Sequence, residues 1–226
     1  LAVPRYREDI ESYQDIAEEI IREYGYDKVT PTFLDDAKVT NGGMNRLQTK
    51  ELEVKEYLCT QGYYEIQTIA MCAKNEFDMF LIPEDAKERN VVELLNPITE
   101  NLSMMRTMMA PSMVRVIENN IKNGTEKMRF FELANVYLPK ALPLTEPPIE
   151  EKMLCLGACG AEEDFFKMKE TLENFASYND LTFSYKRGTV PYLHPGRTAE
   201  VYCLGQKIGH FGQLRYEIID SLNIAG

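Results

Sequence analysis

Apolar positions recur along this chain with two different periods, and the changes of period mark out its elements. Tyr13, Ile16, Ala17, Ile20, Ile21 and Tyr24 step by three and four residues, which predicts a helix carrying one apolar stripe. Ser12 followed by Asp15 reads as a capping box, and Gly25 as the stop. Together with the residues ahead of it, the segment reads as a strand-then-helix unit with too little apolar surface to fold alone. Pro31 and then Asp35–Asn45, with Asn41-Gly42-Gly43, read as a connecting segment. A second unit begins near Leu47 with a helix to about Cys59, then Gly62, then a strand over Tyr63–Met71.

The stretch LNPITENLSMMRTMMAPSMVRVIENNIKNGTEKMRFFELANVYL, Leu95–Leu138, is the most informative. It predicts an extended run ending at Asn96-Pro97, a loop holding Arg106, a helix opened by Pro111 and stopped by Gly124, and a strand over Arg129–Leu138. Proline suits the start of a helix, where its missing N–H would have no partner. Met113, Val116, Ile117 and Ile121 give that helix a buried face. The strand is apolar on both sides, as a covered central strand requires. A further helix is expected at Asp164–Tyr178, with Phe165, Met168, Leu172 and Phe175 on one face. Strands follow at Leu181–Lys186, Ala199–Leu204 and Ile208–Leu214, the last two a hairpin joined by Gly205-Gln206. The tally is an α+β layer fold, a mostly antiparallel sheet flanked by helices.

Composition narrows the function classes. The 226 residues allow one large domain, or one domain plus a fragment. At 44% hydrophobic and 27% charged residues the chain has a globular profile. No apolar run approaches bilayer length, and the start shows no signal-peptide core. Five scattered cysteines, with Cys155 and Cys159 in the strand-like run MLCLGACG, suit reduced thiols in a cytoplasmic protein rather than a zinc site. The net charge of −11, from 25 Lys and Arg against 36 Asp and Glu, lacks the basic excess that grips nucleic acid. A chain of this kind that serves an RNA leaves the main grip to another domain or chain.

Candidate chemistry is sparse. Asp15, Glu18 and Glu19 share the face of the first helix opposite its apolar stripe, and Asp9 lies just ahead of it. Such carboxylates are hard oxygen donors of the type magnesium takes, and equally an ordinary solvated helix face. Arg106 and Arg129 invite a phosphate-clamp reading. His194, before Pro195-Gly196, reads as a turn residue, and His210 lies in a strand with no nucleophile beside it. Gly205, Gly209 and Gly212 lack the strand-to-helix context of a dinucleotide fingerprint and read as turn and close-packing positions. Met104, Met105, Met108, Met109 and Met113 read as core or subunit-interface filler.

The extended-loop-helix-strand order, with one arginine in the loop, resembles the motif 2 region of class II aminoacyl-tRNA synthetases. The wording MMRTMMAPSM…RFFELANVY is most similar to the bacterial-type phenylalanyl-tRNA synthetase β subunit family. Further segments agree: Arg7, Asp9, Ile10, Asp15, Glu18, Glu19, Arg22 and Gly25-Tyr26-Asp27 at the start, then DFFKMK, LHPGRTAEV and GQKIGHFGQL in order. Ala134 stands where the family has glycine, and Arg215-Tyr216 where it has a His-Pro pair. The resemblance implies residues 1–30 as the end of a small helical domain, 31–46 as a linker, and 47–226 as a class II synthetase-like, noncatalytic core. It implies Mg²⁺ shared with the α subunit at Asp9, Asp15, Glu18 and Glu19, ATP bound only in the α subunit, and an (αβ)₂ assembly charging tRNA. The motif 2 strand of a catalytic subunit continues into an arginine for the ATP α-phosphate; here it continues as Val136-Tyr137-Leu138-Pro139. The expected α-facing surface is the Leu52–Cys59 helix and the Met104–Met113 loop. Two rival readings are a free-standing regulatory paralogue and a magnesium-dependent phosphoryl-transfer enzyme.

Overall fold

The computed structural model of the chain describes residues 2–32 and 42–222, so most of the expected connecting segment, at positions 35–41, lies outside the described residues. The chain divides into two compact units, Leu1–Gly43 and Met44–Gly226.

The first unit is built on helix α1, Tyr13–Tyr24. Its start is held by the Asp15 carboxylate, which accepts from the Ser12 N–H at 2.7 Å and the Ser12 hydroxyl at 2.8 Å. Its end is turned by Gly25, whose φ of 108° suits a residue without a Cβ and whose N–H bonds to Ile21 O. The strand expected ahead of α1 does not form. Pro4 has no N–H for a ladder, and the Arg7 N–H turns back onto the Pro4 carbonyl at 3.0 Å. No residue of α1 is buried, and Tyr13, Ile20 and Tyr24 of its apolar stripe are exposed.

The second unit is layered. Helix α2, Arg46–Thr60, is followed by a two-residue strand β1, Tyr64–Glu65, then β2, Met71–Cys72, and helix α3, Asn75–Met79. Strand β3, Met104–Met105, precedes helix α4, Ala110–Lys122, and the long strands β4, Met128–Leu138, and β5, Ile149–Cys159. Helix α5, Phe165–Tyr178, leads to β6, Phe183–Arg187, β7, Leu193–Cys203, β8, Gln206–Leu214, and helix α6, Tyr216–Ser221. The sheets run β1-β4-β5, β2-β3 and β6-β7-β8, and β1 against β4 is the one parallel pairing among them.

The expected single strand Tyr63–Met71 is a correction: it divides into β1 and β2, which belong to different sheets. Ile66 N–H still reaches Phe131 O at 2.9 Å, but two residues later the Thr68 N–H turns to the Glu132 carboxylate. A side-chain oxygen there replaces the next rung of the ladder. The central position expected for the Arg129–Leu138 strand holds, with β1 on one side and β5 along eleven paired residues on the other.

Strand alternation then sorts the core. Phe131, Leu154 and Leu156 face Tyr57 and Leu58 of α2 and Phe175 of α5. The opposite face carries Met128, Phe130, Cys155 and Cys159 against Met113, Ile117 and Ile121 of α4. Gly157 lies on this second side because an added Cβ would come within 2.6 Å of the Met113 side chain. Phe165, Met168 and Leu172 of α5 pack instead on Ala199, Val201 and Phe211 of the β6-β7-β8 sheet. The helix predicted from Phe165, Met168, Leu172 and Phe175 thus serves two clusters. The largest cluster joins Phe77, Phe80, Ile82 and Met104 to Tyr192, Leu193 and Ile218. Short α3 and α6 were invisible to periodicity, since five or six residues complete barely a turn or two, and two-residue β3 is too short to alternate.

Candidate functional site

Arg106 is the lone arginine of the loop before α4, and the structure places it inside the protein. It is 2% exposed, beside Glu132 of β4 at 1%. Its Nη1 donates to Thr68 Oγ1 at 2.7 Å and lies 3.5 Å from Glu132 Oε1, while its Nε donates to Asn135 O at 3.0 Å. Thr68 gives the same carboxylate both its N–H and its hydroxyl, at 2.8–2.9 Å. The Arg106 carbonyl accepts from Tyr137 N–H at 2.9 Å, and its own N–H reaches Ala70 O. Arg106 therefore continues the edge of β4 where β1 has ended, with its side chain and its peptide group together standing in for a strand. Its Nε and Nη1 are thus both directed to internal acceptors.

Arg129, at the start of β4, is committed too. Its Nη2 pairs with Glu163 at 2.6 Å, its Nε donates to the same oxygen, and its guanidinium lies over the Tyr63 ring. The Glu163 carboxylate raises the Arg129 pKa further. At the far end β4 closes on Leu138 and leaves through Pro139. Neither arginine that invites a phosphate-clamp reading is available, and the strand end adds no charge. Sequence reasoning missed Glu132, Thr68 and Glu163 as the partners. The signal for one was present: Glu132 is the only charged residue between Phe130 and Leu138.

The four carboxylates expected to hold magnesium are dispersed over separate duties in the first unit. Arg7 chelates Asp9 through Nε at 2.8 Å and Nη2 at 2.6 Å, and the same Nη2 reaches Glu19 Oε1 at 2.5 Å. Arg22 donates to the other oxygen of Glu19. Hydrogen bonding from Arg7 holds the Asp9 pKa down at about 2 and lowers that of Glu19 as well. Asp15 is taken by the helix cap, with Oδ2 accepting from Ser12 and from Glu11 N–H, which lowers its pKa. Glu18 is exposed. Asp9 and Glu19 are thus brought together; Asp15 and Glu18 are not joined to them. Among the described residues no three carboxylate, imidazole or thiolate groups converge as a metal site. The donors nonetheless suit magnesium in kind, being hard oxygens, and a guanidinium already stands as the cation between two of them.

The remaining candidates are structural. His194 Nδ1 accepts from Gly196 N–H at 3.1 Å, the backbone bond expected of it, although the residue lies within β7 rather than in a turn. His210 Nε2 lies 2.6 Å from Tyr192 OH, a hydrogen bond whose donor is set by the ring's tautomer, and burial lowers the ring's pKa. Gly205 turns the β7-β8 hairpin with φ 81°, and a Cβ on Gly212 would fall 2.3 Å from Arg197 O. Gly209 meets nothing within 4 Å, so its expected packing role is absent. Met104, Met109 and Met113 are buried, the core role expected of them, while Met105 and Met108 are half-buried. Burial pushes the Cys72 thiol to about 11 and Cys155 to about 12, which leaves them unreactive.

Comparison with known proteins agrees with this arrangement. The solved pyrrolysyl tRNA synthetase PylSc of Desulfitobacterium hafniense matches with a TM-score of 0.61 at 16% identity, covering 79% of this chain and 62% of that one. That match establishes the synthetase-like fold alone. Among curated proteins, the phenylalanine–tRNA ligase beta subunit of Clostridium tetani is 34% identical over 99% of this chain and 28% of its own length. The beta subunit of Geobacter metallireducens is 31% identical over 98% of this chain and 29% of its own. The chain thus spans under a third of these relatives. The family model described as the phenylalanyl tRNA synthetase beta chain CLM domain matches residues 31–226. With that match across most of its length, the chain belongs to the phenylalanyl-tRNA synthetase β chain family.

Proposed function

We propose that the chain forms the noncatalytic core of a phenylalanine–tRNA ligase β subunit, docking to a catalytic α subunit in an (αβ)₂ enzyme. The whole enzyme would attach phenylalanine to its tRNA through an aminoacyl-adenylate, in the cytoplasm, with ATP held by the α subunit. Family membership supports the assignment to the ligase. The observation that carries the noncatalytic part is the commitment of Arg106 and Arg129 to Glu132 and Glu163, together with an uncharged end to β4. Phosphoryl chemistry needs donors aimed at the developing charge, and these donors are spent on the fold.

Mg²⁺ shared with the α subunit would be held by Asp9 and Glu19, which already converge, with Asp15 and Glu18 completing the donor set. The ion would supply charge that fastens the subunits rather than chemistry in this chain. The α subunit would meet the Leu52–Cys59 part of α2, where Leu52 is exposed, and the Met104–Met113 loop, where Met105 and Met108 are half-buried. Co-expression with an α subunit followed by size-exclusion chromatography tests the docking, and co-elution is expected. Calorimetry of the chain alone with ATP–Mg²⁺ tests the rest: no saturable heat is expected. Clear nucleotide binding would favour a self-contained phosphoryl-transfer enzyme.

A further inference from the structure

Residues 181–216 carry Lys186, Arg187, Arg197, Lys207 and Arg215 against the single carboxylate Glu200, in a chain whose net charge is −11. Most of this surface repels a polyanion, so a strand of RNA that touches the chain is drawn to the β6-β7-β8 sheet. We infer that the end of this sheet marked by Arg197 and Tyr216 is a contact site for a single-stranded stretch of RNA. The guanidinium takes a phosphate and the tyrosine ring takes a base. The choice of tRNA as that strand rests on the ligase reading above.

The pairing of β7 with β8 shifts register between Leu193 and Thr198, and the irregular stretch is braced. The Gly196 N–H donates to His194 Nδ1 at 3.1 Å, and the Thr198 hydroxyl to His194 O at 2.7 Å. Gly212, lacking a Cβ, lets β8 lie close against the Arg197 carbonyl. Arg197 itself is exposed. Its Nη1 donates to two neutral oxygens, Gln213 Oε1 and, at 3.4 Å, Tyr216 OH, and no carboxylate of the described residues pairs with it. A guanidinium oriented this way keeps its charge for an incoming oxyanion, and its planar fork takes two phosphate oxygens at once. Arg215, one residue from Tyr216, adds a second cation that is only loosely held. Its Nη1 lies 3.6 Å from Glu217, and its Nε is out of solvent without an acceptor. Tyr216 is 52% exposed, with its ring set perpendicular to that of His194 at a centroid distance of 5.8 Å. A fixed, open aromatic ring beside an unneutralised guanidinium is the pairing that holds single-stranded nucleic acid, bases on rings and phosphates on cations. An acidic protein partner would use the charge and leave the ring idle. If Arg197 only clipped β7 to β8, its removal would be indifferent to salt.

The test uses the full-length protein assembled with its α subunit and a phenylalanine tRNA transcript as the probe, with the Kd followed over a range of salt. Arg197→Gln is expected to weaken tRNA severalfold at low salt and to reduce the slope of log Kd against log salt by about one, as a lost phosphate contact does. Arg197→Lys, which keeps the charge, is expected to restore most of that slope. Tyr216→Ala is expected to weaken tRNA by about tenfold, and Tyr216→Phe, which keeps the ring, to leave it nearly unchanged. An unchanged slope in Arg197→Gln, or a Tyr216→Ala protein that binds as the parent does, overturns the site while tRNA binding by the parent leaves the ligase reading standing. Loss of co-elution with the α subunit in these variants, with tRNA affinity intact, assigns the patch to a protein and overturns the RNA site too. A parent enzyme that binds no tRNA overturns both readings.

Discussion

At the residue scale, the decisive side chain is Arg106. It was legible as the lone arginine of its loop, but its partner was not, because nothing local links it to a glutamate 26 residues away. Glu132 likewise looked like one polar tooth in an alternating strand, when it is the buried counter-charge of the whole β4 edge. A buried pair of this kind is a weak source of stability as a pair and a severe liability when halved. Arg106→Met is expected to cost about 3–5 kcal/mol, because Glu132 keeps its charge in the core with Thr68 as its one remaining donor. Urea unfolding measures this directly. The double variant Arg106→Met, Glu132→Leu should recover most of the loss, and equal losses in the single and double variants would show that packing, not charge, is at stake.

At the element scale, long periodic segments were read well and interrupted ones were not. Helices α2, α4 and α5 emerge from their apolar spacing with ends shifted by a residue or so, since caps such as Asn45 and Asp164 are local features. The Tyr63–Met71 strand failed because its break is made by a side chain from another strand, which no window on the segment contains. The β7-β8 hairpin shows a related subtlety. Leu204 and Gly205 both take positive φ, as a primed hairpin turn demands, though leucine is an unusual occupant. Within this hairpin His210 sets a pH dependence. Burial lowers its folded pKa, while the unfolded imidazole titrates near the usual value of about 6.5. The unfolded chain therefore takes up the proton first, and stability present at pH 8 falls as the pH drops through that value. Thermal melts between pH 8 and pH 5 should show the decline, and His210→Gln should flatten it. A decline of the same slope in that variant would assign the effect to other groups.

At the scale of the whole molecule, the family was legible because several distinct segments follow one another in the right order, a pattern that chance seldom produces. The geometry of the acidic turn was not legible, because spacing along α1 cannot report that Arg7 folds back across twelve residues to Glu19.

Helix α5 gives the larger unit its coherence. Its first half is seated on the β6-β7-β8 sheet through Phe165 and Met168, and its last half against α2, where Tyr178 stacks on Tyr57 with ring centroids 4.2 Å apart. Fluorophores placed on either sheet should therefore report a single denaturation midpoint, and two separated midpoints would show the halves melting independently. A lineage drifting in sequence then has little licence to exchange one sheet without the other: the helix obliges both to be inherited as a single piece.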